Sequence, residues 1–354
     1  MKPPDPQEDL GTLEPTKNRV MKLIIPMAGK GKRMRPHTLT TPKPLIKIAG
    51  KSIVHHLIYE IKDVLAEPID EINFVIGRFG ERIERELEAL AEEVGAKPVI
   101  SYQDEPLGTA HAIYSAKESL KGNVIIAFSD TLFKANFKLK TDSDGIIWTK
   151  KVNDPSSFGV VRKDKNDYVD GFFEKPSSFI SDEAIIGVYY FKKGEDLRKE
   201  IKYLLDNNIR ENSEFQLTDA LENLRKKENR FTTSVVDRWF DCGNKDATVD
   251  TNREMLKYIN SKNLKGKGIV EENSIIIEPC YIGNNVQIKN SVIGPYVSIE
   301  DETIIENALI SNSIIQSGTK IRLLNGINSM IGSHVDIEGN FVDLSVGDYT
   351  NLNL

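Results

Sequence analysis

Cysteine is scarce in this chain of 354 residues: Cys242 and Cys280 stand far apart and match no metal-ligand spacing. A reducing, cytoplasmic setting is the simplest expectation for such usage. A basic surplus is missing as well. Lys and Arg number 47 against 53 Asp and Glu, a net charge of -6, whereas proteins that take nucleic acid as their main partner carry a clear basic excess. The balance excludes that partner and leaves room for a local cationic pocket around a small phosphate ligand. No apolar run approaches the ~18 residues of a membrane span, so no membrane association is expected. Residues 1–20 are rich in Pro, Asp and Glu and lack an apolar core, which excludes a signal peptide. They read as a disordered leader, with the folded part starting at Met21.

What is present is globular in composition, 39% hydrophobic and 28% charged, and long enough for one large domain with a smaller one. Lys22–Met27 is a β-branched apolar run followed by a glycine-rich loop. Ser52 can cap a helix whose stripe is Ile53, Leu57, Ile58, Ile61 and Leu65. A strand over Glu71–Ile76, a helix over Glu81–Val94 and a strand over Lys97–Tyr102 follow. A helix over Thr109–Leu120 and a buried strand over Asn123–Phe128 come next. Alternation of this kind predicts an α/β fold, a doubly wound, Rossmann-like and mostly parallel sheet with helices on both faces. Ligands bind such sheets beyond the carboxyl ends of the strands, which singles out Ala28–Arg33, Gln103–Gly108 and Asp130.

The pattern changes after about Asp250. A helix over Asp246–Ile259 runs into a polar linker, and from Ile269 isoleucine recurs every five or six residues. Ile276, Ile282, Ile288, Ile293, Ile299, Ile305, Ile310, Ile315, Ile321, Ile331 and Ile337 carry the repeat. One inward apolar side chain per face of a triangular coil is the mark of a hexapeptide β-helix. An Ile-rich β-sandwich is the alternative, and the near-regular step favours the solenoid.

The strongest chemical feature is Ala28-Gly-Lys-Gly-Lys-Arg-Met-Arg-Pro36, leading into Thr41-Pro-Lys-Pro-Leu45. Glycines at 29 and 31 let backbone approach a polyphosphate, and exposed N–H groups form an anion nest. A dinucleotide fingerprint needs a third glycine where Met34 stands, and a P-loop needs a Gly-Lys-Ser/Thr ending that is absent. A solvent-exposed basic loop would account for the charges, but not for Pro36, Pro42 and Pro44.

Gly-x-Gly-x-Arg, Pro-x-Thr and Pro-Lys-Pro-Leu in this order resemble the nucleotidylyltransferases that make NDP-sugars from an NTP and a sugar 1-phosphate, with the glucose-1-phosphate thymidylyltransferases as the nearest pattern. The likeness runs from about Met21 to Asp250. It implies that Arg33 grips the triphosphate and that Lys43 neutralises the α-phosphate region. Ala28, Gly29, Gly31 and Lys32 would line the nucleotide. Gln103-Asp-Glu-Pro-Leu-Gly-Thr-Ala-His111 resembles the base-binding segment, so Gln103, Gly108 and Thr109 join that set. Without the family, Gly108-Thr109 reads as a strand-to-helix turn. Asp130 and Asp241, the latter in Trp239-Phe-Asp-Cys-Gly243, would hold Mg²⁺, an ion that takes few carboxylates plus substrate phosphates. Phe158-Gly-Val-Val161, Phe173-Glu-Lys-Pro176 and Ile186-Gly-Val-Tyr189 resemble the sugar half. They imply that Gly159, Glu174, Lys175 and Gly187 contact the sugar phosphate, with Asp219 in support.

The expected division is then a leader 1–20, a catalytic domain 21–250, a helix end and linker 251–268, and a left-handed β-helix 269–354. The expected substrates are dTTP or UTP with glucose 1-phosphate. A purine enzyme such as a mannose-1-phosphate guanylyltransferase is the runner-up, because the family's guanylyl and adenylyl branches with C-terminal solenoids share much of this pattern; Lys32 also departs from the small hydroxylated residue common before the arginine. A non-catalytic regulatory paralogue is the alternative of another class, and the presence of Arg33, Lys43, Asp130, Lys175 and Asp241 counts against it. Acyl transfer by His334 lacks a supporting partner in the sequence. The exposed coil end of the solenoid predicts a homo-oligomer.

Overall fold

Alternate residues of each central strand face opposite sides of a sheet, and the chain uses both. In β1 (Met21–Pro26), Met21, Leu23 and Ile25 belong to one core while Ile24 belongs to another. The computed structural model describes residues 20–211, 213–259 and 264–339. The leader expected over 1–20, apart from Val20, and the end of the solenoid beyond 339 lie outside them.

Two short strands, β2 (Lys47–Ile48) and β3 (Lys51–Ser52), lead into α1 (Ile53–Val64). The Ser52 side chain caps α1 by accepting from the His55 N–H at 3.3 Å, and the expected stripe is buried. Then come β4 (Glu71–Ile76), α2 (Glu81–Glu93), β5 (Lys97–Tyr102), α3 (Thr109–Ser115) and β6 (Asn123–Ala127). The expected helix to Leu120 stops five residues early. Hydrogen-bonded turns replace it, carrying buried Ser119 to Asn73 and Glu71 on the sheet, at 2.8 and 2.6 Å.

The second half holds β7 (Thr131–Lys134), β8 (Gly145–Lys151), β9 (Val160–Lys163), β10 (Val169–Phe173) and β11 (Glu183–Phe191). It continues through α4 (Gly194–Asp206), α5 (Leu217–Lys226), β12 (Phe231–Val235), β13 (Arg238–Asp241) and α6 (Lys245–Tyr258). The main sheet runs β10-β9-β11-β6-β1-β4-β5, with β8 on β11 and β12 on β8. Strands β6, β1, β4 and β5 are parallel, and β11 joins β6 antiparallel. Helices α1 and α2 cover one face and α3, α4 and α5 the other, so the sheet is doubly wound as expected. Each Leu or Ile so buried contributes about 1.5–3 kcal/mol.

From Val270 the chain coils through three stacks of parallel strands, one of five and two of four. This is the left-handed parallel β-helix that the repeat predicts. Ile282, Ile288, Ile293, Ile299, Ile305, Ile310, Ile315 and Ile321 are all fully buried. The break in the isoleucine repeat after Ile321 also has its reason: Gly326 stands at the inward register opposite Ile310, and Leu324 packs against the core beside it. Corners at Asn273, Asn290 and Asn307 take positive φ, a conformation asparagine tolerates.

The two parts share a core. Ile314 of the solenoid is fully buried in the cluster that contains β1, α1 and α6. Asn252, Met255 and Leu256 of α6 are buried too, and that helix packs against β13, β2 and the solenoid strand Ser313–Ile315.

Candidate active site

The carboxyl ends of β1, β5 and β6 open onto one cleft of about 400 Å³. Ala28, Gly29, Gly31, Lys32, Arg33, Lys43, Gln103, Gly108, Thr109 and Asp130 all line it. These ten are the residues expected to handle nucleotide, phosphates and one side of the metal. Glu214, Gly243 and buried Ser129 line it as well, and none of those three was expected. Ser129 donates to the carbonyl of Pro26 at 3.2 Å and so ties the end of β6 to that of β1.

The glycine loop is shaped by Gly31. It sits in the left-handed region (φ 55°, ψ 36°) and opens a short 3-10 turn, Lys32–Met34. Its carbonyl accepts from the Met34 N–H at 2.9 Å and from the Thr38 hydroxyl at 2.8 Å. A side chain there would meet Thr38 Cγ2 at 3.0 Å and Lys43 Cβ at 3.2 Å. Gly29 faces open space. Met34 is the buried anchor of the loop. Lys32 and Arg33 stay exposed, and neither has an ion-pair partner among the described residues. The loop therefore presents two uncommitted cations to the cleft.

Lys43 is held differently. It opens the turn Lys43–Leu45, is 8% exposed, and its Nζ lies 3.3 Å from Asp130 Oδ2. Asp130 in turn meets the strand of Asp241. Strands β7 and β13 pair antiparallel with Asp241 opposite Thr131, and the Cys242 N–H donates to the Asp130 carbonyl at 3.3 Å. Burial pushes the Cys242 thiol up to about 12, and the charges felt there include those of Lys43, Asp241 and Asp130. Two carboxylates 111 positions apart in the chain thus reach one end of one small sheet, next to a buried ammonium.

Opposite them, Gln103 Nε2 donates to the Gly108 carbonyl at 3.3 Å and lies 3.1 Å from His111 Nδ1. Both amide hydrogens are engaged, which leaves the carbonyl oxygen to accept. Burial holds the His111 imidazole below its ordinary pKa, which favours the neutral ring, and an amide nitrogen facing Nδ1 can only donate to it. Gly108 (φ 115°) is required for a reason the sequence does not show: a Cβ would stand 2.5 Å from the Phe215 carbonyl oxygen. Residues Phe215–Leu217 dock on this loop through Phe215 N–H to Leu107 (2.9 Å), Ala110 N–H to Phe215 (2.9 Å) and Leu217 N–H to Thr109 Oγ1 (3.0 Å).

A glycine-shaped loop, two exposed cations, buried Lys43 and Asp130 thus surround one cleft, with Asp241 on the strand paired beside it. The model of the family described as "Nucleotidyl transferase" matches residues 22–258, more than half of the chain. The chain belongs to the nucleotidyl transferase family. It is similar to the glucose-1-phosphate thymidylyltransferase of Streptomyces griseus, at 27% identity over 90% of this chain and 93% of that one. It is also similar to the bifunctional protein GlmU of Methanocaldococcus jannaschii, at 29% identity over 91% and 80%. Among solved structures, a putative glucose-1-phosphate thymidylyltransferase from Bacillus anthracis shares the fold. Its TM-score is 0.56 at 22% identity, covering 68% of this chain and 97% of that one.

The remaining residues expected in this nucleotidyl transferase, Asp241, Gly159, Glu174, Lys175 and Gly187, are not among those that line the cleft. Gly187 takes φ 84° at an irregularity of β11, and a Cβ there would stand 3.4 Å from Phe128, a cleft residue. Gly159 leaves room for Glu174, whose Oε2 would be 3.2 Å from an added Cβ. Burial, offset by the Lys175 ammonium, holds the Glu174 carboxyl above the usual range, with Glu211 and Asp219 adding to the rise. Lys175 lies 3.9 Å from Glu174 and is otherwise exposed. Its φ of 40° is uncommon for lysine. The Phe158 ring contacts that of Trp239 at 4.8 Å, which links this half to the strand of Asp241.

Among the described residues no cluster of three or more His, Cys, Asp or Glu could hold a metal by itself. The donor set still fits Mg²⁺, which takes one or two carboxylates and completes its shell with water and substrate phosphates. Gly243 contributes to that fit, because a side chain there would stand 2.9 Å from both Asp241 oxygens. No described helix is long and apolar enough to cross a membrane.

Proposed function

We propose that the chain joins an NTP to a sugar 1-phosphate, releasing pyrophosphate, with dTTP or UTP as nucleotide and glucose 1-phosphate as sugar. The convergence of Lys43, Asp130 and Asp241 opposite the loop of Gly29 and Gly31 carries the reading. An oxygen of the sugar phosphate attacks the α-phosphorus, a new P–O bond forms, and the bond to the bridging oxygen of pyrophosphate breaks. Two anions must meet, so positioning and charge neutralisation supply most of the catalysis.

Arg33, with Lys32 beside it, takes the β- and γ-phosphates at the mouth of the loop. Lys43, already buried, stays with the α-phosphate. Asp130 and Asp241 would hold Mg²⁺, which supplies further positive charge against the phosphates. Lys175 holds the phosphate of the sugar, and Glu174 accepts from its hydroxyls. The free carbonyl oxygen of Gln103 suits a base with a ring N–H donor, as thymine and uracil have. Guanine also carries such a donor. The catalytic subunit beta of a Drosophila melanogaster mannose-1-phosphate guanylyltransferase is 33% identical over 51% of this chain and 50% of its own, which keeps a guanylyl enzyme as the second reading.

The chain divides in this proposal into a transfer module, 21–250, and a solenoid from 269. Pyrophosphate release measured for each NTP against a panel of sugar 1-phosphates tests the substrates. Turnover confined to dTTP or UTP with glucose 1-phosphate is expected. A purine-only profile would overturn the nucleotide, and no turnover with any pair would overturn the reaction.

A further inference from the structure

An apolar coil has no need of a charge in its wall, yet Glu300 at the corner after Val297–Ile299 is fully buried. Its ion-pair partner among the described residues is Lys47, whose Nζ lies 3.2 Å from Oε2. Burial pushes the Glu300 carboxyl up and the Lys47 ammonium draws it back. Buried pairs of this kind are weak sources of stability, because desolvation offsets much of their attraction. Their geometry is another matter. Lys47 belongs to the segment that begins at Lys43, and the solenoid grips that segment repeatedly.

Gln316 Nε2 donates to the Lys47 carbonyl at 3.0 Å, so the solenoid holds Lys47 by its backbone and by its side chain. Two residues on, the Ala49 N–H donates to Asn252 Oδ1 at 2.9 Å, and the same oxygen accepts from the Ser298 hydroxyl at 2.6 Å. Next, Gly50 (φ 85°) lies so close under the Tyr281 ring that an added Cβ would stand 2.3 Å from it. Between these anchors and Lys43 there is no slack. The Leu45 N–H donates to Pro42 (2.9 Å) and the Ile46 N–H to Lys43 (3.1 Å).

We propose that Glu300 of the solenoid is a positioning residue for the transfer reaction, fixing through Lys47 the turn that carries Lys43 to the cleft. The solenoid on this account braces the turn of Lys43 from behind, without lining the cleft itself. The proposal rests on the reading that Lys43 serves the α-phosphate. A displacement on the order of 1 Å in such a group costs up to ~100-fold in rate, so a partly loosened turn costs about tenfold.

Wild type, Glu300→Gln, Lys43→Met and the double variant decide it, with Arg322→Ala as a control. Glu300→Gln keeps size and removes charge, and Lys47, with 38% of its side chain exposed, can still reach water, so the melting temperature falls only slightly. Its kcat falls about tenfold with KM for the sugar 1-phosphate unchanged, whereas in the Lys43→Met background the same replacement changes kcat by less than about twofold. Hydrogen exchange at the Ile46 and Ala49 amides quickens in Glu300→Gln. Arg322→Ala, which breaks an exposed pair with Asp336 and Glu338 elsewhere on the coil, leaves kcat unchanged. A Glu300→Gln enzyme with wild-type kcat, losses that multiply with those of Lys43→Met, or unchanged exchange at both amides would overturn the proposal. Absence of turnover in the wild type would instead overturn the functional reading, and exchange would still report whether Glu300 holds the turn.

Discussion

Replacing Lys43 by Met separates what this ammonium does for the fold from what it does for the reaction. At 3.3 Å from Asp130 Oδ2, two unit charges attract by about 5 kcal/mol at an effective dielectric of ~20. The Asp130 side chain is 50% exposed, however, and screening with desolvation reduces the net value of such a pair to ~1 kcal/mol or less. Methionine fills most of the space left by the lysine stem. The melting temperature should therefore fall by no more than about 2–4 °C. The chemical loss is larger, because a fixed donor aimed at developing charge contributes about 100- to 1,000-fold to kcat, or ~2.7–4 kcal/mol. Steady-state pyrophosphate release and a thermal melt on the same preparation measure both. A kcat within about tenfold of wild type, or a loss explained by unfolding at the assay temperature, would refute the reasoning.

Two glycines of the cleft should behave differently. Gly108→Ala forces a Cβ to 2.5 Å from a backbone oxygen at φ 115°; it should cost about 1–3 kcal/mol for the backbone alone and lower the melting temperature. Gly29→Ala meets open space, so it should raise KM for the NTP with the melting temperature unchanged. Asp241→Asn should raise the Mg²⁺ concentration for half-maximal turnover at least about tenfold, and an unchanged Mg²⁺ titration would refute a metal role. The raised pKa of Glu174 has a definite sign: the carboxylate is lost as pH falls through a value above that of an ordinary glutamate, while ionisation in the folded state is disfavoured up to it. KM for the sugar 1-phosphate should therefore rise on the acid side, and Glu174→Gln should abolish that limb.

Much of this site was legible because its residues follow strands. Ala28–Arg33, Gln103 and Asp130 each come just after one, and a parallel sheet gathers such ends. The solenoid was legible from spacing, since each inward isoleucine occupies one face of the coil. Other features depend on contacts between segments distant in the chain. The need for glycine at 108 is set by Phe215, more than a hundred residues away. Glu214 and Gly243 reach the cleft through the docking of their segments, and no local pattern marks them. Glu300 looks like any acidic corner residue until Lys47 is placed against it. The early end of α3 has the same origin, because Ser119 is claimed by Asn73 and Glu71 across the sheet.

The most direct test of the central claim follows the α-phosphate. With dTTP or UTP labelled at that phosphorus, glucose 1-phosphate and Mg²⁺, the label should pass into the nucleotide-sugar as unlabelled pyrophosphate is released. Label that remains in the triphosphate, or that emerges as free nucleoside monophosphate, would contradict it.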